Sequence, residues 1–155
     1  MDVSPRQNPA YRPSLSTEAT TRRRRIAWSI VLVVYAGAIF ALSSFPISLG
    51  RALVPDFRVG FALHAAEFAV FYLLARRATG GTGLALVLTA IYAGTDELHQ
   101  AFVPARTASA IDFGCDLAGG FAAALLRAGI ARTRLLGRFR RLILASRESR
   151  EERGT

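Results

Sequence analysis

Cysteine is rare in this sequence and lysine is missing from it. Its 155 residues include one cysteine, Cys115, which excludes an intrachain disulfide and a zinc site made of several thiolates. Cys115 lies in an apolar segment, and we interpret it as a packing residue. Lysine is absent, so all twenty basic residues are arginine. The length fits one compact unit and leaves little room for a second domain.

Acidic residues are also few, since eleven stand against twenty arginines and the net charge is +9. A basic balance of this size can indicate a nucleic-acid partner. Here the arginines lie in the gaps between apolar runs instead of forming one basic face, and 52% of the residues are hydrophobic. We therefore predict no nucleic-acid partner and interpret the charge as a membrane-topology signal.

The first apolar run covers residues 26–45, directly after the four arginines of residues 22–25. Twenty uncharged residues in a helix span about 30 Å, the thickness of a bilayer's hydrocarbon core. A cleaved signal peptide is the alternative, because Ala41 and Ser43 have the small-residue spacing of a cleavage site before Pro46. The run is too long for such a peptide, so we predict a transmembrane helix.

Three more apolar runs follow, and two of them are short. The second covers residues 59–75. The third stays apolar only over residues 84–95, so it crosses the membrane only if it continues through residues 96–102, which begin with two acids. The fourth, residues 117–126, reaches bilayer length only by starting near Ile111. The predicted fold is an all-α bundle of four transmembrane helices.

The two ends of the chain differ in composition from this bundle. Leu135, Leu136, Phe139, Leu142 and Ile143 recur at helical spacing between arginines, which predicts an amphipathic helix on anionic lipid at the cytoplasmic face. A solvated helix with an accidental apolar stripe is the alternative. The predicted organisation is a disordered tail over residues 1–21, a membrane domain over 22–130, the amphipathic helix over 131–145 and a second disordered tail over 146–155.

The distribution of arginines predicts the orientation. With both termini in the cytoplasm, seventeen arginines lie on the inner side, and only Arg51, Arg58 and Arg106 lie outside. This bias agrees with the positive-inside rule. The outer ends of the second, third and fourth helices then carry most of the polar residues of the bundle.

These polar residues lie at comparable depth and repeat at helical spacing, so those on one helix share a face. They are His64 and Glu67 on the second helix, Asp96, Glu97, His99 and Gln100 on the third, and Asp112 and Asp116 on the fourth. A carboxylate facing lipid costs about 2.5–3.5 kcal/mol, so we expect these side chains to face one another. Arg106, on the short loop, is the expected counter-ion of Asp96 or Glu97.

Several of these residues also have a purely structural interpretation. Ser109 precedes Asp112 by three residues, the capping-box spacing, which predicts a helix that begins near Ala110 and makes Asp112 a cap residue. A lone histidine such as His64 is usually a packed residue. Asp96 and Glu97 are alternatively solvated residues at the membrane interface.

The ordered motifs of residues 61–126 resemble the VanZ-like family of bacterial membrane proteins. They comprise His64-Ala-Ala-Glu67, Asp96-Glu97-Leu-His-Gln100, Pro104-Ala-Arg106 and Asp112-Phe-Gly-Cys-Asp116-Leu-Ala-Gly119. The family takes its name from a protein linked to resistance to teicoplanin, a lipoglycopeptide that acts outside the cytoplasmic membrane. The resemblance implies a multi-pass protein of the bacterial cytoplasmic membrane with a function in the cell envelope.

This sequence departs from the family at two positions. Relatives often have a lysine shortly before the histidine, where this chain has Phe61 and Ala62, and often have asparagine at the position of Asp116. Both changes make the site more acidic. An anionic ligand that needs the lysine is therefore in doubt.

Four functions are consistent with these residues. The first is an outward-facing polar cavity that binds a lipid-linked or lipophilic ligand and lowers susceptibility to lipoglycopeptides. The second is an acid/base enzyme acting on a lipid-linked precursor, with His64 as base and Asp96, Glu97 or Asp116 as its acidic partner. The third is a metal site of His64, Glu67, His99 and Asp116, which lacks a standard ligand spacing. The fourth is a structural or assembly subunit.

We assign the candidate residues by these hypotheses. The candidate catalytic residues are His64, Glu67, Asp96 and Glu97, and the candidate ligand-binding residues are Gln100, Arg106, Asp112 and Asp116. We assign no metal ligand and no cofactor. The expected partners are the bilayer and a lipid-linked or lipoglycopeptide ligand, and the sequence leaves the oligomeric state and the existence of a reaction open.

Overall fold

The computed structural model describes residues 15–45, 57–104 and 106–151, and within them the chain forms four helices and no strand. These are α1 (Leu15–Ser43), α2 (Phe57–Thr79), α3 (Thr82–Gln100) and α4 (Ala110–Glu151). The predicted all-helical class is confirmed. The loop at residues 46–56, with Pro46 and Arg51, lies outside the described residues.

The four helices alternate in direction. At one end, which we call the arginine end, Arg24 and Arg25 of α1 share a cavity with Arg76 and Arg77 of α2 and Arg127 of α4. At the opposite end, α1 meets the end of α3, and α2 meets the start of α4. We call this second end the acidic end, because the carboxylates of α3 and α4 lie there.

Aromatic and small side chains fill the space between the helices. Phe68, Phe71 and Tyr72 of α2 are buried, and Phe71 stacks on Tyr92 of α3 with ring centroids 4.7 Å apart. Alanines complete the packed layer, including Ala85 of α3. Small residues allow close approach of helix backbones, which is the usual way that helices associate within a membrane.

Two glycines of α4 allow the closest of these approaches. A Cβ atom on Gly119 would overlap the carbonyl oxygen of Ala65 on α2, and one on Gly120 would lie 2.9 Å from Cγ2 of Thr89 on α3. The backbone of α4 therefore lies directly against α2. This contact sets the separation of the two helices that carry His64 and Asp116.

Large apolar side chains cover much of the outer surface of the bundle. Ile30, Val33, Val34 and Leu42 of α1 are all more than half exposed. Three helical segments are long and apolar enough to cross a membrane, namely Thr17–Ser43, Arg58–Thr79 and Ala110–Arg138. Exposure of such segments to water is unfavourable, so the chain is a membrane protein.

The helix α3 differs from the other three. It has 19 residues, about 28 Å at the helical rise, but its last turns include Asp96 and Glu97. Both carboxylates are buried. The described segments that meet the length and composition of a membrane span are therefore three and not the four expected, because the polar last turns of α3 lower its mean hydropathy.

One predicted boundary needs correction, and a second is not confirmed. Residues 15–21 lie in the first turns of α1 and not in a disordered tail, since Glu18 in the first turn favours a helix start and Thr21 Oγ1 donates a hydrogen bond to Thr17 O. Helix α4 runs without interruption through residues 131–145 to Glu151, so the structure does not confirm a separate amphipathic helix or a tail beginning at 146. Residues 1–14 and 152–155 and the side chains of Phe139, Leu142 and Ile143 lie outside the described part.

We predict that Gly119→Ala destabilises the protein, whereas Gly129→Ala, also on α4, does not. At Gly129 a new Cβ meets no atom within 4 Å, so the substitution is neutral or stabilises the helix by up to about 1 kcal/mol. At Gly119 the Cβ forces α4 away from Ala65, which costs about 1–3 kcal/mol. Thermal unfolding in one detergent measures both, and equal melting temperatures would contradict the close contact.

Candidate functional site

His64 and Asp116 lie within hydrogen-bonding distance of each other across the interface of α2 and α4. Nδ1 of His64 lies 3.1 Å from Oδ1 of Asp116, whose side chain is fully buried, while a quarter of the His64 side chain is exposed. The close contact at Gly119, one turn beyond Asp116, holds the two helices near enough for this pair. The histidine thus has one ring nitrogen fixed by a carboxylate and a partly accessible edge.

Glu67 lies one turn after His64 on the same face of α2, as its spacing predicted. Its charge is close enough to interact with His64, Asp96 and Asp116. Its backbone carbonyl accepts a hydrogen bond of 3.1 Å from the hydroxyl of Tyr35 on α1. Glu67 therefore stands where α2 meets the other three helices.

Asp96 and Gln100 form a buried pair one turn apart on α3. Nε2 of Gln100 donates a 2.7 Å hydrogen bond to Oδ2 of Asp96, and both side chains are at most 4% exposed. The pair therefore faces the interior of the bundle. The alternative that Asp96 is a solvated interface residue is wrong for this structure.

Glu97 joins the end of α3 to the beginning of α4. Its Oε2 accepts a hydrogen bond of 2.6 Å from the backbone N–H of Ser109, and the hydroxyl of Ser109 accepts one of 3.1 Å from the N–H of Asp112. Half of the predicted capping box is thus present. The reciprocal hydrogen bond, from the N–H of Ser109 to Asp112, is not formed because this N–H donates to Glu97 instead. Glu97 is also buried, so it is not a solvated residue at the membrane interface.

Arg106 has a different partner from the one expected. Its Nε donates a 3.0 Å hydrogen bond to the carbonyl oxygen of Phe45, and among the described side chains it makes no ion pair with Asp96 or Glu97. The last carbonyls of a helix need donors, and Arg106 supplies one just beyond α1. Its charge still reaches Glu67.

The five acids of this region form one cluster, which we call the acidic cluster: Glu67, Asp96, Glu97, Asp112 and Asp116. Their charges interact in several pairs across α2, α3 and α4. Three buried carboxylate oxygens, Asp96 Oδ1, Glu97 Oε1 and Asp116 Oδ2, find no hydrogen-bond donor within the part of the chain that the structure describes. A buried acceptor without a donor costs free energy, so these atoms favour a bound donor.

An apolar groove of about 480 Å³ lies beside the acidic cluster, between α1 and α3. We call it the α1–α3 groove, and it is lined by Phe40, Tyr92, Thr95, Asp96, Leu98, His99 and Phe102. His99 lies in this groove and not beside the acidic cluster. Its ring stacks on that of Phe40 with centroids 4.0 Å apart, and its Nε2 lies 2.9 Å from Ser44 Oγ. Asp96 is the residue that the groove and the acidic cluster share.

Sequence reasoning missed most of the residues that line this groove. Tyr92, Thr95 and His99 of α3 and Phe102, just after its end, recur every three or four residues, the spacing of one helix face. That periodicity was available from the sequence. The partner face on α1, Phe40 and Ser44, follows only from the packing of the two helices.

A metal centre of His64, Glu67, His99 and Asp116 receives no support from the geometry. His99 contacts α1, whereas His64 contacts α4. Over the described residues, no group of three or more His, Cys, Asp or Glu side chains could hold a metal ion.

We predict that Glu97→Leu loosens the segment between α3 and α4, whereas Glu97→Gln largely preserves it, because an amide oxygen still accepts the Ser109 N–H. Loss of a hydrogen bond to a charged acceptor should raise trypsin cleavage after Arg106 roughly tenfold or more. Mass spectrometry of proteoliposomes digested from both sides measures this cleavage. Glu18→Leu, on the exposed first turn of α1, is the control. Similar cleavage in both Glu97 variants would disprove the role of the hydrogen bond.

Comparison with known protein families identifies the family of the chain. The family model described as VanZ/LLP1 matches residues 9–131, a range that includes the acidic cluster, His64, Gln100 and Arg106. Searches of the curated proteins and of the solved structures found no significant match. The family resemblance inferred from the motifs is thus confirmed, and the chain belongs to the VanZ/LLP1 family.

Proposed function

We propose that this VanZ-like protein binds a lipophilic or lipid-linked ligand at the outer surface of the bacterial cytoplasmic membrane and thereby lowers susceptibility to lipoglycopeptides such as teicoplanin. The observation that carries the proposal is the α1–α3 groove, an apolar space of about 480 Å³ with a buried, incompletely bonded Asp96 in its wall. Such a groove suits a ligand with an apolar part and a polar head.

The proposed topology has four membrane-crossing helices and both termini in the cytoplasm. Three helices meet the criteria for a span, and α3 packs among them in alternating direction. Its length of about 28 Å matches the hydrocarbon core if its acids are shielded by the bundle, as Asp96 and Glu97 are. The arginine end then lies in the cytoplasm, as the positive-inside rule requires, and the acidic end lies outside.

The chemistry of the acidic cluster indicates what kind of polar head would bind. Five carboxyl groups lie near one another, and the basic side chains that interact with Glu67 are His64 and Arg106. Three buried oxygens of the carboxyl groups have no hydrogen-bond donor within the described part of the chain and are free to accept one. A head group that donates several hydrogen bonds or carries positive charge fits this cluster, whereas an anionic group would be repelled.

The groove also offers a route for such a ligand. Phe40, Leu98 and Phe102 are more than half exposed, so its apolar wall opens at the surface of the bundle and not into its centre. In a membrane this surface faces acyl chains. A ligand therefore reaches Asp96 laterally from the outer leaflet, with Gln100 holding the opposite oxygen of the carboxylate.

We predict that Thr95→Phe and Asp96→Asn each abolish the effect of the protein on teicoplanin susceptibility in a strain that depends on it. The first fills the groove, and the second removes the charge at its wall. Thr95 is exposed and its hydroxyl bonds only to carbonyls of its own helix, so the protein should still accumulate. The minimal inhibitory concentration, read together with immunoblots of membranes, measures the effect.

Two matched variants serve as controls for this test. Thr133→Phe introduces the same side chain on an exposed part of α4, and Glu18→Gln neutralises an exposed acid of α1. Both should retain the wild-type susceptibility. If Thr95→Phe and Asp96→Asn accumulate normally and also retain it, ligand binding at the groove is disproved. If every variant of the acidic cluster instead fails to accumulate, the structural-subunit hypothesis is favoured.

Acid/base catalysis on a lipid-linked precursor is the second candidate function, and the His64–Asp116 pair favours it. A buried carboxylate that fixes one ring nitrogen of a partly exposed histidine is the arrangement of a general base and its orienting group. Glu67 lies on the same face of α2 as His64, and its charge interacts with those of His64 and Asp116.

Lipid analysis of cells with and without the protein distinguishes these two functions. For an enzyme, we predict a lipid-linked species that changes in abundance with the wild-type protein and returns to the level of the null strain in His64→Gln. A binding protein leaves the lipid composition unchanged while still altering susceptibility. Asp112→Asn, which removes an acid of the cluster outside the His64–Asp116 contact, tests whether the pair itself is needed.

A further inference from the structure

The arginine end of the bundle contains a second cavity, far from the acidic cluster. Its volume is about 410 Å³. It is lined by Thr21, Arg24, Arg25, Trp28, Arg76, Arg77, Gly80 and Arg127. Five of these eight residues are arginines, and among the described residues no carboxylate contributes to the lining.

We propose that this arginine cavity binds a phosphate group, carried either by the head group of an anionic phospholipid or by a free phosphate ion. Guanidinium groups donate paired hydrogen bonds in a planar geometry that matches phosphate oxygens. The proposal concerns the end of the molecule opposite to the α1–α3 groove, and it does not depend on the function proposed there.

Three separate helices build the cavity, and specific contacts position its side chains. The guanidinium of Arg77 lies 4.7 Å above the ring of Trp28, a cation–π contact between α2 and α1. Nε of Arg76 donates a 3.2 Å hydrogen bond to Oγ1 of Thr82, at the start of α3. These contacts leave the terminal nitrogens of both arginines for a ligand.

Gly80 makes room for another of the arginines. Its φ of +78° is a backbone conformation that favours glycine, and a Cβ there would lie 2.8 Å from Nη2 of Arg25. The side chain of Arg25 therefore rests directly on the turn between α2 and α3. A glycine at this position both forms the turn and lets the guanidinium approach it.

The charges of the cavity argue for an anionic occupant. Five like charges around one space repel one another. A phosphate group offsets it directly. Charge-assisted hydrogen bonds from several arginines are also among the stronger polar contacts in proteins.

The position of the cavity fits the level of lipid head groups. Ile26 and Ile30 lie in the helical turns of α1 that follow Arg25, and both are at least half exposed. The apolar surface of α1 therefore begins next to the cavity. Trp28, an amphipathic ring typical of the membrane interface, lies in its wall. A phospholipid phosphate in the cavity would have its acyl chains beside that apolar surface.

The single tryptophan of the chain makes binding directly measurable, because Trp28 lines the cavity. Full-length protein in an uncharged detergent is titrated with short-chain phosphatidylglycerol, with short-chain phosphatidylcholine and with inorganic phosphate, and the emission of Trp28 is followed. We predict a saturable change with phosphatidylglycerol and a much weaker one with phosphatidylcholine, which has no net negative charge. A saturable change with inorganic phosphate as well would identify the phosphate group alone as sufficient.

The matched variants are Arg24→Gln/Arg127→Gln and Arg23→Gln/Arg132→Gln. Each pair removes two charges, one from α1 and one from α4, but Arg23 and Arg132 do not line the cavity. Arg24 and Arg127 are exposed, so their replacement should leave the fold intact, which the melting temperature checks. The apparent Kd should rise about tenfold or more for the first pair and change less than about twofold for the second.

Two results would overturn the proposal. One is a Trp28 signal that does not saturate with phosphatidylglycerol or with inorganic phosphate. The other is equal weakening by both pairs of substitutions, since that outcome means a diffuse attraction to positive charge and not a site.

Discussion

The close packing of α4 against α2 is the contact on which the rest of the structure depends. Because Gly119 has no side chain, its backbone lies against Ala65, and one turn earlier Asp116 comes within hydrogen-bonding distance of His64. A wider separation would expose Asp116 to lipid or leave it alone in an apolar interface. Either state is unfavourable for a carboxylate, so the small-residue contact and the buried acid depend on each other.

The same constraint explains why the helices carry different amounts of polar surface. α1 has an almost wholly apolar exposed side beyond residues 22–25, whereas α3 turns Asp96, Glu97 and Gln100 toward its neighbours. The bundle therefore works as a shield around the end of α3. It also leaves one face of α3 open, and on that face lies the apolar groove with Asp96 in its wall.

Helix positions and the grouping of the acids could be predicted from the sequence. The apolar runs predict the positions of all four helices. Because a carboxylate facing lipid is unfavourable, the sequence also predicts that Glu67, Asp96 and Asp116 face one another, and their charges do interact in the structure. The partners of Glu97 and Arg106 could not be predicted, because each is a backbone group whose position depends on how the 101–109 segment folds. The groove was missed for a related reason, since Phe40 and Thr95 acquire a common role only when α1 and α3 pack. A separate amphipathic helix over residues 131–145 is not confirmed, because a change in composition near residue 131 does not by itself interrupt a helix and α4 continues to Glu151.

The bond between Glu97 and Ser109 has a thermodynamic consequence. A ligand that takes Oε2 of Glu97 for itself leaves the Ser109 N–H without its acceptor and weakens the start of α4. Occupancy of the acidic cluster and order in the α3–α4 connection are then linked quantities. By reciprocity, a change that stabilises this connection weakens the binding of a ligand that competes for Oε2 of Glu97, and by the same free energy. A ligand that bonds only to the unpaired oxygens of Asp96, Glu97 and Asp116 leaves the connection unchanged.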